Sequence, residues 1–398
     1  MRPRPMAPAV RRMVVLLAAA LALLLPGAPT AGARPRAEDA SACALAGTTG
    51  WTDEGHDTDY SVFQRPTGTK KIAMIFVDFP DAPATESPSE DAAQLTPGAD
   101  WVWQASYGRT WLDITPYQRW VRMPRNSTDY GYARGLSHEQ HEAYVADAVR
   151  AADPYVDFSG YDMVYVVATR NAPAISFTPT YVYDPGTPGV VADGTRIRYA
   201  VTFGQDMWHW GPKLLGHETA HTFGLPDLYA FDTRDDGHRF TGGWDVMGLI
   251  SGAAPQYFGW QSWKLGWTDD DQVVCRTTAG SDTVELSAVE YQGGTKLAVV
   301  RTGPTSAYVV ESRRAVRNDQ DACATGALIY KVDSSVKTGE GPIRVVNAQP
   351  GAAPEGNCRT LDHAPWTAGQ SFSDDEAGVR IEVLDDGGYG DTVRVTKV

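Results

Sequence analysis

Two stretches of the chain are apolar almost without a break. "KIAMIFVDF" (71–79) is stopped by Pro80, and "YDMVYVVAT" (161–169) repeats its texture, so both predict strands buried on two faces. Between them, "SHEQHEAYVADAVRAADP" places Tyr144, Val145, Ala148, Val149 and Ala152 on one face. Ser137 and Gln140 stand at capping-box spacing and Asp153-Pro154 closes the run, which predicts an amphipathic helix. "RIRYAVTF" (196–203) alternates more and predicts a strand nearer a sheet edge. Strand, helix, strand implies a sheet with a helical crossover, hence an α/β or α+β first domain.

After Gly266 the texture changes. "TVELSAV", "TKLAVVRT", "AYVVESRR", "GALIYKVD", "VRIEVL" and "DTVRVTKV" are short period-2 or apolar runs separated by Gly, Asp and Pro. They predict a β-rich, sandwich-like C-terminal domain over 271–398, its last two strands joined as a hairpin through "DDGGYGD". A first domain over 71–270 precedes it. Residues 34–70, rich in Ala, Thr, Asp and Gly, read as a leader or short pro-segment, with order expected from Lys71.

The first 33 residues carry a different signal. Arg2, Arg4, Arg11 and Arg12 precede an apolar run from Met13 to Leu25, and "AGA" at 31–33 supplies small residues for cleavage, the pattern of a secretory signal peptide. No later stretch approaches the roughly 18 apolar residues of a membrane helix, so a soluble, secreted and monomeric protein is expected. The formal charge is −14 and falls by a further four once the signal segment is removed. Such acidity argues against nucleic acid or an anionic membrane as partner. The 4 cysteines, Cys43, Cys275, Cys323 and Cys358, suit disulfides outside the cell. Cys323 with Cys358 is the favoured pair because both lie in the C-terminal region, which leaves Cys43 for Cys275.

Chemistry concentrates in "GPKLLGHETAHTFGLPD", in a chain with only 8 histidines. A helix over 212–223 puts His217 and His221 one above the other, so both imidazoles can reach one zinc ion. Glu218 is rotated about 100° from them, beside the ion, where it can act as the general base for an attacking water. No Glu occurs between Glu218 and Glu285 to serve as a third ligand from a following helix. Gly224 instead tolerates the positive φ that would swing the chain back to Asp227; His238, in a Gly-flanked loop, is the other candidate. A bare HExxH arises by chance in about one chain in a hundred, so the glycine and aspartate offsets carry the assignment beyond a polar helix face.

"GGWDVMG" (242–248) follows Asp227, and here HExxHxxGxxD with a methionine turn resembles the metzincin zinc peptidases. "GLPDLY" and "GGWDVMG" together resemble the immune inhibitor A family of secreted metalloproteases, as do "IFVDFPDAP", "WQSWKLGW" and "YVVESRR"; the likeness covers roughly residues 70–335. It implies a metzincin-like α+β catalytic domain, a mixed twisted sheet with an active-site helix. It further implies zinc ligands His217, His221 and Asp227, Glu218 as general base in hydrolysis of protein or peptide substrates, and Met247 as a hydrophobic floor. A third ligand that is Asp rather than His departs from the commonest metzincin pattern. "VMGLI" lacks the tyrosine that some metzincins place two residues after the methionine, which leaves Tyr257 or Tyr229 to steady an oxyanion.

Other features are weaker. "HEQHE" (138–142) reads as a solvated helix face. "FDTRDDGHR" (231–239) and "TDDD" (268–271) could offer carboxylates to calcium but lack EF-hand alternation. Trp260, Trp263 and Trp267 read as helix packing. The rival to an enzyme is a secreted binding or adhesion module with a non-catalytic zinc.

Overall fold

The computed structural model describes residues 38–232 and 236–398. The expected signal segment lies outside them. Order does not wait for Lys71: Cys43, Leu45 and Phe63 are buried in the main core, Cys43 is joined to Cys275, and the Glu38 carboxylate accepts from the Thr277 and Thr278 amides. The buried apolar side chains of 38–67, Ala40, Cys43, Leu45 and Phe63, are too few and too widely spaced to show a period, which is why the sequence reads as a loose leader.

The first half runs β1 (Gly68–Asp78), α1 (Pro88–Leu95), α2 (Pro97–Ala105), β2 (Thr110–Arg122), α3 (His138–Ala152), β3 (Met163–Ala168), β4 (Thr180–Val182), the small hairpin β5 (Val190–Ala192) with β6 (Thr195–Ile197), then β7 (Tyr199–Phe203), α4 (Met207–Trp210) and α5 (Lys213–Thr222). Its sheet has the order β2-β1-β3-β7-β4, parallel except for β4. Successive side chains of a strand point to opposite faces. Ile72, Met74 and Phe76 therefore join the core that holds α2 and α5, while Ala73, Ile75 and Val77 join the one that holds α3. Two buried faces account for the unbroken apolar run.

Three local points sharpen the sequence reading. β7 stands next to the edge, with β4 covering its outer side. β2 was hidden by polar alternation and Pro116, both tolerated on an edge strand. The "HEQHE" turn is not wholly solvated: His141 is buried with Nε2 2.8 Å from Thr202 Oγ1, and Glu142 accepts from the hydroxyls of Tyr181 and Thr187. Helix α3 itself forms as predicted, with both capping-box bonds between Ser137 and Gln140.

The second half comprises α6 (Gly259–Lys264), β8 (Val273–Arg276), β9 (Gly280–Ser287), β10 (Leu297–Arg301), β11 (Ser306–Arg313), β12 (Gly326–Asp333), β13 (Ile343–Val345), β14 (Ser371–Asp374), β15 (Val379–Gly387) and β16 (Gly390–Lys397). They make two sheets, β13-β12-β11-β10-β8 and β14-β15-β16-β9, with β15 and β16 paired as the expected hairpin. Ala298, Val300, Val310 and Ile329 of the first sheet share a core with Val284, Ile381 and Val393 of the second. Leu297, Val299, Val309 and Leu328, on the opposite face, belong to the same core as α5 and β1. The boundary expected at 270/271 thus divides the sheets by chain order but not the core, and the described residues form one compact unit.

The fold is mixed, with several sheets and few helices, within the α+β class expected. The disulfides are Cys43 with Cys275 and Cys323 with Cys358. Among the described residues no helix is long and apolar enough to cross a membrane. Trp260, Trp263 and Trp267 are buried around α6.

Candidate metal centre

Helix α5 is placed by its small and apolar residues. Leu214, Leu215 and Ala220 are buried, and Gly216 lets the Trp101 ring approach so closely that a Cβ would stand 2.9 Å from it. His217 and His221 then project together, their ring centroids 4.9 Å apart. Each ring is turned by a backbone carbonyl: His217 Nδ1 lies 2.9 Å from Val246 O, and His221 Nδ1 lies 2.8 Å from Leu225 O. A carbonyl can only accept, so both Nδ1 atoms carry the proton and both Nε2 atoms present lone pairs.

After α5 the chain folds back at Gly224, whose φ is +93°. Only glycine adopts this freely, and a Cβ here would stand 3.0 Å from Thr58 Cγ2. Asp227 is delivered with Oδ1 3.2 Å from His217 Nε2 and 3.3 Å from His221 Nε2. Its backbone is held from far along the chain: the amide donates to Thr338 Oγ1 at 2.9 Å, and the carbonyl accepts from the Gly339 amide at 3.1 Å.

Two imidazole lone pairs and a carboxylate oxygen with no hydrogen-bond donor of its own converge on one point. That arrangement is repulsive unless a cation or proton sits among them. The separations of 3.2 and 3.3 Å match the edge of a tetrahedron with roughly 2.0 to 2.1 Å bonds, so the donor set fits zinc. Without a cation, burial acts to lower His221 but the facing Asp227 carboxylate raises it to about 9. Burial acts to raise Asp227, and the two imidazoles overcome this and hold it well below the usual range. Zinc ligation requires both imidazoles to be neutral, so a bound ion would displace that proton.

Glu218 stands beside the trio, 4.0 Å from His217 Nε2 through Oε1, and is not part of the ligand cluster. The Thr180 hydroxyl on β4 donates to its carboxylate at 2.9 Å and to its carbonyl at 2.8 Å. Burial raises the carboxyl to about 7, partly offset by the two imidazoles. Met247 is fully buried in the expected turn; its amide donates to Asp245 Oδ1 at 2.6 Å and its carbonyl accepts from the Leu228 amide at 3.0 Å. The turn therefore braces His217 through Val246 and the Asp227 loop through Leu228.

Tyr257 is corrected. Its ring is buried against Trp101 and Trp267, and its hydroxyl is spent on the Gly216 carbonyl at 2.9 Å, so it anchors α5 instead of facing a substrate. Tyr229 is the tyrosine at the site, its ring stacked 6.4 Å from His217. His238 is not in the cluster; its Nδ1 meets Gly248 O at 2.7 Å. In "TDDD", Asp269 pairs with Arg109 and Asp270 accepts from Trp263 Nε1. Residues 233–235 of the other acidic segment lie outside the described residues. Spacing alone gave no sign of Thr180, Thr338 or the Val246 carbonyl, which reach the site from 29 to 111 residues away.

No protein family's sequence profile matches the chain, and a search of the curated proteins finds no similar sequence.

Proposed function

We propose that the protein is a secreted zinc-dependent endopeptidase of metzincin-like type, resembling the immune inhibitor A family and acting on proteins or peptides. One observation carries the reading: Gly224 turns the chain so that Asp227 meets both imidazoles of an HExxH helix while Glu218 remains outside the ligand set. His217, His221 and Asp227 would hold the ion. When bound, zinc supplies Lewis-acid polarisation and makes water a better nucleophile near neutral pH.

The chain's own residues do the rest. Glu218, steered by Thr180, takes the proton of the attacking water and passes it to the departing amine. Tyr229, whose ring stacks on His217, would donate a hydrogen bond to the charge that develops on the carbonyl oxygen. β4 ends its sheet, so an extended peptide added along its outer edge would run beside Thr180 and Glu218. The acidic surface, the two disulfides and the N-terminal signal pattern support a place outside the cell.

The test is casein cleavage by the purified protein. Activity should vanish on chelation, return with zinc, and be absent in Glu218→Ala. Activity that survives either treatment overturns the proposal, and a tightly held but catalytically inert zinc would favour a binding module.

A further inference from the structure

Arg134 lies between the turn Ser127–Tyr130 and α3. It is exposed, and its guanidinium sits 5.7 Å from the centre of the Phe177 ring and beside the phenol of Tyr229. Tyr229 in turn stacks on His217. The contact series His217, Tyr229, Arg134 therefore sets a permanent cation one aromatic ring away from the ligand trio. Phe177 begins the segment that leads through Thr178 to Thr180, the residue that steers Glu218.

Arg134 makes no ion pair with any described residue. Its electrostatic neighbour Asp206 already has its carboxylate engaged by the Thr178 amide at 3.0 Å and the Thr178 hydroxyl at 2.6 Å. A guanidinium supported by a ring face and by one hydrogen bond to the Tyr229 hydroxyl still has further N–H donors for a partner, and planar carboxylates fit such a fork. The surroundings sharpen the point. Glu218 and Asp227 stand close by in a chain of net charge −14, and of these three charged groups around Tyr229 only Arg134 attracts an approaching carboxylate.

We propose that Arg134, backed by Phe177 and Tyr229, forms a subsite that selects a carboxylate on the peptide substrate. The proposal rests on the hydrolytic reading above. Two sources offer the same chemistry, an acidic side chain near the scissile bond and a free C-terminus.

Matched peptides separate them: glutamate against glutamine in a chain with a blocked end, and a free against an amidated C-terminus. Each is measured as kcat/KM with the wild type, Arg134→Gln and Arg134→Lys, and as binding to Glu218→Ala by calorimetric titration. One charge-assisted contact corresponds to an acid-to-amide ratio of about 10 to 100 in the wild type, falling towards 1 in Arg134→Gln and partly restored in Arg134→Lys. A preference confined to the glutamate pair assigns a side-chain subsite, and one confined to the terminus assigns a carboxylate anchor. Cleavage with a ratio near 1, or one indifferent to Arg134, overturns the subsite and leaves the peptidase standing. Arg134-dependent binding without turnover keeps the subsite and removes the peptidase, whereas neither cleavage nor binding removes both.

Discussion

His217 Nδ1 lies 2.9 Å from the carbonyl oxygen of Val246, the residue that precedes Met247. A ring nitrogen on one element is thus aimed by a turn on another, and that turn is itself shaped by Asp245, whose buried carboxylate accepts from the amides of Met247 and Phe258 at 2.6 Å each. Asp245→Ala would strand two buried donors. We expect a loss of at least about 2 kcal/mol in urea unfolding, together with weaker zinc retention against a competing chelator.

Gly224→Ala tests the chain reversal. A side chain at positive φ costs about 1 to 2 kcal/mol, and the new methyl would press on Thr58. The expected result is lower stability and a larger fractional loss of bound zinc than in an alanine substitution on the exposed face of α3. Unchanged zinc content would mean that Asp227 reaches its place without the glycine.

Thr180→Val removes the hydroxyl that steers Glu218 and keeps the shape of the side chain. Casein turnover should fall about tenfold, the effect of one modest hydrogen bond, with zinc content and melting temperature preserved. A parallel fall in zinc content would instead make Thr180 part of the scaffold.

Asp91 on α1 is fully buried, and neither carboxylate oxygen has a hydrogen-bond partner. Burial, reinforced by the carboxylates of Glu86 and Glu90, pushes it up to about 7. The folded state then holds its proton more tightly than the unfolded chain, where the value is about 4. The stability linked to this proton is complete below pH 4 and disappears as pH rises through 7. Asp91→Asn should therefore gain on the wild type between pH 5 and pH 8, read as the difference in urea midpoints; a constant difference across that range contradicts the assignment.

Arg313 couples the two halves. It is fully buried on β11, pairs with Glu311 and Asp319, and donates to the carbonyls of Trp244 and Gln256. Arg313→Met leaves two buried carboxylates uncompensated, so a loss of about 3 to 5 kcal/mol is expected, with casein activity and global structure lost in one urea transition. Separate transitions would show that the halves fold independently.

The parts of this molecule that were legible in the sequence are those governed by local spacing. The i,i+4 histidines, the glycine three residues later, the capping box of α3 and the unbroken apolar strands all follow from helix and strand periods. The anchoring role of Tyr257 is not legible, because nothing near it in sequence reveals that its hydroxyl is spent on Gly216. The order of residues 38–67 is not legible in the sequence, because a segment held by one disulfide and a few apolar anchors needs no period. The core shared by both halves is illegible for a related reason: an apolar strand such as "LAVV" shows that both its faces are covered without showing by what.

Thr338 and Gly339 grip the backbone of Asp227 from 111 and 112 residues further on. A nascent chain halted near residue 270 would already carry both imidazoles but not the brace on their carboxylate partner. On the proposed reading, metal capture would wait until most of the chain has been made, and a half-made chain would not become a protease inside the cell that produces it.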